Sequence, residues 1–179
     1  MHLKTYLILL LGLVALYLPG NKIFQEKQHA SPIIEAKTIA QVAMVVKDIE
    51  KSGEIWAEVL GVEQPEAFVS TSHQDRPTTF YSEVTHAEAK LAFIKMGNIE
   101  IELIEPLGKG STWQEFLDTH GEGIHHIAFW VEDKEGVSKK LALKGMPTVQ
   151  TGGWDTGGYS YVDATTTLGC IVELLENFE

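Results

Sequence analysis

The chain has 179 residues, a length suited to one compact unit or two small packed halves, and 44% of them are apolar, an ordinary share for a globular protein. A net charge of −11, with 14 basic against 25 acidic residues, excludes a nucleic-acid-binding stripe; the nearest basic cluster, Lys139, Lys140 and Lys144, suits a solvated helix face. The single cysteine, Cys170, excludes an intrachain disulfide and, in an apolar strand, reads as a small core residue.

Residues 1–30 stand apart from the rest. Lys4 begins a short basic start, and Thr5 to Leu18 (TYLILLLGLVALYL) is apolar and uncharged. This run is shorter than the ~20 residues of a bilayer-spanning helix. It matches the apolar core of a secretory signal. Pro19-Gly20-Asn21 follows instead of a small-x-small cleavage site, with Gln28-His29-Ala30 as a weaker alternative. Residues 1–30 therefore read as a signal peptide or an uncleaved N-terminal anchor, with residues 5–18 as the membrane attachment. The body would then lie outside the cytoplasm, in the periplasm or the extracellular space. Residues 31–37 read as a linker.

From residue 38 the chain can be laid over itself. Gln41-Val42-Ala43-Met44-Val45-Val46 leads to Asp48 and a helical stretch ending at Leu60-Gly61. His126-Ile127-Ala128-Phe129-Trp130-Val131 leads to Asp133 and a helical stretch ending at Lys144-Gly145. Each aspartate sits where a helix N-cap belongs and each glycine where a C-cap belongs. Ile49, Ile55, Trp56, Val59 and Leu60 predict the apolar side of the first helix. Thr79–Val84 and Leu91–Met96 read as inner strands of the first half, and Ile99–Glu105 as its closing strand. Ser111 to Thr119 reads as a joining helix capped by Ser111. In the second half, Thr148–Gln150 and Tyr159–Val162 are the inner strands and Cys170–Glu176 closes the sheet. The glycine-rich segment Gly152–Tyr159 reads as a hinged loop over a cleft, with Trp154 and Tyr159 as candidate substrate-binding aromatics.

The prediction is an α+β fold over residues 38–177. Two βαβββ halves, 38–108 and 121–177, are joined by helix 111–119 and form a curved mixed sheet around a metal cleft. Because strand side chains alternate, Val42, Met44 and Val46 face the helix while Gln41 shares the other face with Ala43 and Val45. His126 holds the equivalent place in the second half. Glu102 and Glu173 are carboxylates at matching places in the closing strands, expensive to bury without a cation or hydrogen bonds. Glu100, Glu105 and Glu176 read as exposed. If the halves pair about a pseudo-twofold axis, Gln41, Glu102, His126 and Glu173 would converge in one cleft as candidate metal ligands. This mixed nitrogen and oxygen set suits one divalent ion: Zn, Ni, Co, Mn or Fe.

The pieces QVAMVVKDIEKS, GNIEIELIEPLG, GEGIHHIAFWVED and GCIVELLE resemble the glyoxalase and bleomycin-resistance, or vicinal-oxygen-chelate, superfamily over about residues 38–177. GEGIHHIAF with ELIEPLG is especially similar to the methylmalonyl-CoA epimerases. The resemblance implies the paired βαβββ fold, a divalent metal on Gln41, Glu102, His126 and Glu173, and a homodimer. Epimerases carry histidine where this chain has Gln41, and the Gln/Glu/His/Glu set is similar to that of eukaryotic-type glyoxalase I. The implied activity is that of an isomerase or lyase, glyoxalase- or epimerase-like, abstracting a proton next to a carbonyl of a small-molecule substrate. By similarity to glyoxalase I, Glu173 is the catalytic base. Epimerases place a further glutamate before the first closing strand, where Glu83 and Glu88 are the weak candidates here. The alternative is a bleomycin-resistance-like protein that binds a small molecule without chemistry; retention of all four ligand groups argues against it. An extradiol-type oxygenase would need two histidines with one carboxylate.

Overall fold

β1 (Gln41–Val45) opens the first half, followed by α1 (Ile49–Leu60). The Asp48 carboxylate accepts the Lys51 amide at 3.0 Å to cap α1, and Gly61 ends it at φ +68°, a left-handed conformation that favours glycine. β2 (Phe68–Ser70), β3 (Thr79–Phe80), β4 (Glu83–Val84), β5 (Ala89–Met96) and β6 (Ile99–Pro106) complete this half. α2 (Thr112–His120), capped by Ser111, joins it to β7 (Gly123–Trp130) and α3 (Lys134–Ala142), which Asp133 caps. β8 (Thr148–Trp154), β9 (Gly157–Ala164), the short α4 (Thr165–Leu168) and β10 (Cys170–Asn177) follow. The structure is a computed structural model that describes residues 31–178; the signal or anchor reading of residues 1–30 lies outside the described residues.

The strands form one sheet in the order β2-β5-β6-β1-β7-β10-β9-β8-β3-β4. β1 pairs antiparallel with β7 at the centre, so the two halves join edge to edge within one chain. Each opening strand runs parallel to the closing strand of its own half, β1 with β6 and β7 with β10. Strand alternation then builds a core on both faces. Val46, Ile49, Ala92 and Leu103 pack with Met44 and Trp56 under α1, while Leu141, Val162, Val172 and Leu174 pack with Phe129 and Val137 under α3. On the opposite face Ala43, Val45, Ile104 and Tyr161 meet Trp113, Phe116 and Leu117 of α2. The joining helix is thus a lid on the face that the other two helices leave free.

Three sequence expectations are corrected. Thr79–Val84 is not an inner strand of the first half: it turns back at Tyr81 and Ser82, at φ +47° and +70°, and pairs Thr79 with Thr151 of the second half. Phe68–Ser70 takes the inner-strand place beside β5. Alternating apolar residues carry no mark of a sharp turn between them, which is why 79–84 reads as a single strand. The segment Gly152–Tyr159 is not a hinged loop, because Gly152, Gly153, Gly157 and Gly158 pair within the β8–β9 ladder and only Asp155 and Thr156 turn. The apolar side of α1 is also misread: Ile49, Gly53 and Ala57 are buried, whereas Ile55 and Val59 are 50% and 71% exposed. The helix packs by its small residues, and Gly53 brings it close enough to Pro65 that a Cβ would lie 3.2 Å from the ring.

Candidate metal centre

The site is assembled by strand register. One row across the sheet runs Glu102, Ala43, His126, Ile171, and the next runs Glu100, Gln41, Ala128, Glu173, Tyr161. Residues in a row share a face, and the rows are two residues apart on each strand, so all of these side chains point to the α2 side. A pseudo-twofold axis between the rows exchanges Gln41 with His126, Glu102 with Glu173, and Ala43 with Ala128. The two alanines matter as much as the polar groups. Neighbouring strands lie about 4.8 Å apart, so Glu102 and His126 must reach across an intervening strand, and only a small residue between them leaves the space clear. Ala43 and Ala128 are fully buried in those places.

His126 Nε2 lies 3.0 Å from Glu173 Oε2 and 3.4 Å from Glu102 Oε2. One donor atom from each of the three residues falls within 4.8 Å of the others. Metal bonds of about 2.1 Å place adjacent octahedral ligands about 3.0 Å apart and tetrahedral ones about 3.4 Å apart. Glu102, His126 and Glu173 are 6%, 0% and 4% exposed. His126 Nε2 and Glu173 Oε2 have no hydrogen-bond partner of good geometry among the described residues. Buried polar atoms left in this state are rare. Two such atoms turned toward one point fit a divalent cation. Gln41, partly buried, stands beside Ala128 and presents its amide on the same face.

The charges of the metal-free site adjust accordingly. Burial acts to lower the His126 imidazole, but Glu173 and Glu102 outweigh it and hold the ring up at about 9. Glu102 is raised, by burial first and then by Glu173 and Glu100, against the opposing effect of His126. A proton on the imidazole, between two carboxylates, therefore stands where a cation would. Burial pushes the Tyr161 phenol well above its ordinary value, with Glu173 and Glu102 adding to it, so its hydroxyl stays protonated.

Several residues around the site were not singled out by sequence reasoning. The Tyr161 ring lies 4.7 Å from that of His126 and its hydroxyl accepts the Trp113 indole N–H at 3.1 Å. The fully buried Gln150 accepts both the Thr112 amide, at 2.7 Å, and its hydroxyl, at 3.1 Å, tying the start of α2 to the sheet. His125 is buried against Phe116 and Tyr161 and faces His126 with Nδ1 atoms 2.9 Å apart. The doubled histidine and the Trp113 of STWQEF were the available signals; that both belong to one site depends on how α2 folds back.

Of the other candidates, only Tyr159 borders the site. Trp154 packs edge-on against Trp130, with ring centres 6.4 Å apart. Tyr159 accepts from Gln150 at 3.0 Å and packs on Tyr161 at 4.9 Å, part of the aromatic layer behind the site. Glu83 and Glu88 are exposed, the first on the β3–β4 hairpin and the second just before β5. Glu100, read as exposed from sequence, is partly buried in the same row as Gln41. A separate cleft of about 480 Å³ opens between α2 and the second half, lined by Phe116, His120, Ile124 and Ile171 and reaching His125, not the carboxylates.

The family model of the glyoxalase/bleomycin resistance protein/dioxygenase superfamily matches residues 40–162. The chain is 30% identical over 138 residues to an ethylmalonyl-CoA/methylmalonyl-CoA epimerase of Cereibacter sphaeroides, covering 74% of this chain and 92% of that one. It is 27% identical over 118 residues to the mitochondrial methylmalonyl-CoA epimerase of Mus musculus, covering 65% of this chain and 58% of the mouse protein. The crystal structure of a methylmalonyl-CoA epimerase from Mycobacterium tuberculosis superposes with a TM-score of 0.54 at 19% identity, over 86% of this chain and 95% of that one, a likeness of fold. Through the family match over most of the body, the chain belongs to the glyoxalase/bleomycin resistance protein/dioxygenase superfamily.

Proposed function

We propose that this protein is a metal-dependent isomerase or lyase that moves a proton on the carbon next to a carbonyl of a small oxygenated substrate. The observation that carries the reading is the convergence of Glu102, His126 and Glu173 within 4.8 Å, with His126 Nε2 and Glu173 Oε2 left without good partners. Gln41, Glu102, His126 and Glu173 would hold one Zn, Ni, Co, Mn or Fe ion. Such an ion, when bound, supplies Lewis-acid stabilisation of the negative charge that develops beside the carbonyl. The rest is the work of this chain. The Glu173 carboxylate, buried beside His126, is the base that takes the proton. Tyr161, Trp113 and the α2 lid exclude water from the buried carboxylates. Gln41 and Glu100, both partly buried on the same face, are the side from which a substrate would approach. The names of the sequence relatives support proton transfer beside a carbonyl as the reaction class. We further propose that residues 1–30 export or anchor the body and that two copies pair as a homodimer.

Metal analysis of the folded protein, with deuterium exchange at the α-carbon of α-hydroxy acids, α-keto acids and acyl thioesters, tests the reading. About one divalent ion per chain is expected, with exchange that Glu173→Gln reduces at least 100-fold while the fold is kept. Wild-type protein that purifies without metal, and whose melting temperature Zn²⁺ or Ni²⁺ leaves as unchanged as that of Glu102→Ala, sinks it. Tight small-molecule binding by chelator-stripped protein, with no exchange, would favour a sequestering role instead.

A further inference from the structure

Consecutive strand residues normally point to opposite faces, so His125 and His126 should not meet. They do meet, because β7 carries a bulge at this place. Ala43 pairs with His126 but the next residue, Met44, pairs with Ile124, which leaves His125 as the extra residue of the ladder. The bulge turns His125 so that the two rings stand at 79° with their Nδ1 atoms 2.9 Å apart. Two ring nitrogens at that distance share one hydrogen: one donates and the other accepts. His126 turns its other nitrogen, Nε2, to Glu173 and Glu102. For Nε2 to coordinate a metal its lone pair must be free, which puts the hydrogen on Nδ1 and requires an acceptor there. The only polar side-chain atom paired with His126 Nδ1 among the described residues is His125 Nδ1.

We infer that His125 is a positioning residue, accepting the Nδ1 hydrogen of His126 so that Nε2 is presented to the metal as a free ligand. The inference rests on the metal reading proposed above. Metal-bound histidines commonly have their second nitrogen fixed by a carboxylate, a carbonyl or water, and loss of that partner weakens metal binding. Here a neutral imidazole does this, itself placed by a bulge. The arrangement is not a consequence of the repeat, since Ala40 precedes Gln41 where His125 precedes His126. Packing is a second use of the His125 ring, whose centre lies 5.4 Å from those of both Phe116 and Tyr161. The two uses are separable. His125→Phe keeps an aromatic ring and removes the acceptor; His125→Asn removes the ring and keeps an acceptor oxygen near the Nδ1 position.

Zn²⁺ titration by calorimetry at fixed pH, with melting curves of the metal-free proteins, separates them. His125→Phe is expected to weaken Zn²⁺ binding about 10- to 100-fold with little change in metal-free melting temperature. His125→Asn is expected to melt lower yet bind Zn²⁺ within about 3-fold of wild type, by the same reasoning. Imidazole ¹⁵N spectra of the wild-type Zn²⁺ complex should show His126 protonated at Nδ1 and His125 at Nε2, and this holds as the criterion even where a variant fails to fold. His125→Phe binding Zn²⁺ like wild type, the two variants weakened equally, or His125 carrying its hydrogen on Nδ1 would each overturn the inference. Wild-type protein that binds no Zn²⁺, Ni²⁺ or Co²⁺ removes the metal reading itself, and the inference with it.

Discussion

His126 makes the site a proton switch in the absence of metal. In the folded protein its imidazole is held at about 9, against an ordinary value of about 6.5 in an unfolded chain. A group raised on folding contributes stability that is complete below the unfolded value and disappears as pH rises through the folded one. Glu102, also raised, acts with the same sign from a lower pH upward. Chelator-treated protein is therefore expected to lose stability to chemical denaturation steadily between about pH 6.5 and 9, by at most about 3 kcal/mol from His126. Saturating Zn²⁺ should flatten the profile, because a cation takes the place of the proton. A metal-free protein that becomes more stable over this interval would contradict the charge arrangement. The proximity of Glu102, His126 and Glu173 was legible in the sequence because a repeat places each beside a strand and cap of known kind. His125 was not: its role depends on a bulge, and the hydrophobic pattern of GIHHIAFW carries no sign of one.

At the level of elements, the intervening strands and the lid decide whether the ligands can be used. Ala128→Leu fills the space between Gln41 and Glu173 that the register leaves open. The change is expected to weaken metal binding more than 10-fold in a calorimetric titration, while circular dichroism still reports a folded protein. Gln150→Leu is expected to leave the Thr112 amide and hydroxyl buried without their acceptor. Unsatisfied buried groups cost about 1–3 kcal/mol, and the loss should appear in chemical denaturation together with faster hydrogen exchange at the start of α2. Normal protection there would show that the helix is held by packing alone. Helix α2 was read correctly as a capped helix between the halves, with Ser111 accepting the Gln114 amide at 3.2 Å. Its position over the ligand face was not legible, because a helix of nine residues with apolar Trp113, Phe116 and Leu117 could cover any apolar surface in the molecule. The misread hairpin at 79–84 belongs to the same class, since its partner Thr151 is 72 residues further on.

For the whole molecule, the sheet is continuous across both halves. Deleting residues 1–30 is expected to leave a soluble body with unchanged metal affinity, whereas the full chain should fractionate with membranes or the exported proteins. Full-length protein recovered wholly in the cytoplasm would count against the signal or anchor. What the sequence by itself determined was local and periodic: two strand–cap–helix openings, two closing strands with a carboxylate on one face, and hence the paired α+β plan and the meeting of Glu102, His126 and Glu173. Such features depend on spacing along the chain, and spacing is what a sequence records. Only the tertiary structure decided that the halves join through β1 and β7 of one chain, that β3 and β4 cross to the far half, that α2 closes the site, and that His125 turns inward to His126. Those outcomes are choices among long-range packings of similar apolar surface, settled by burial and hydrogen-bond satisfaction over the whole body and not by any short stretch of it.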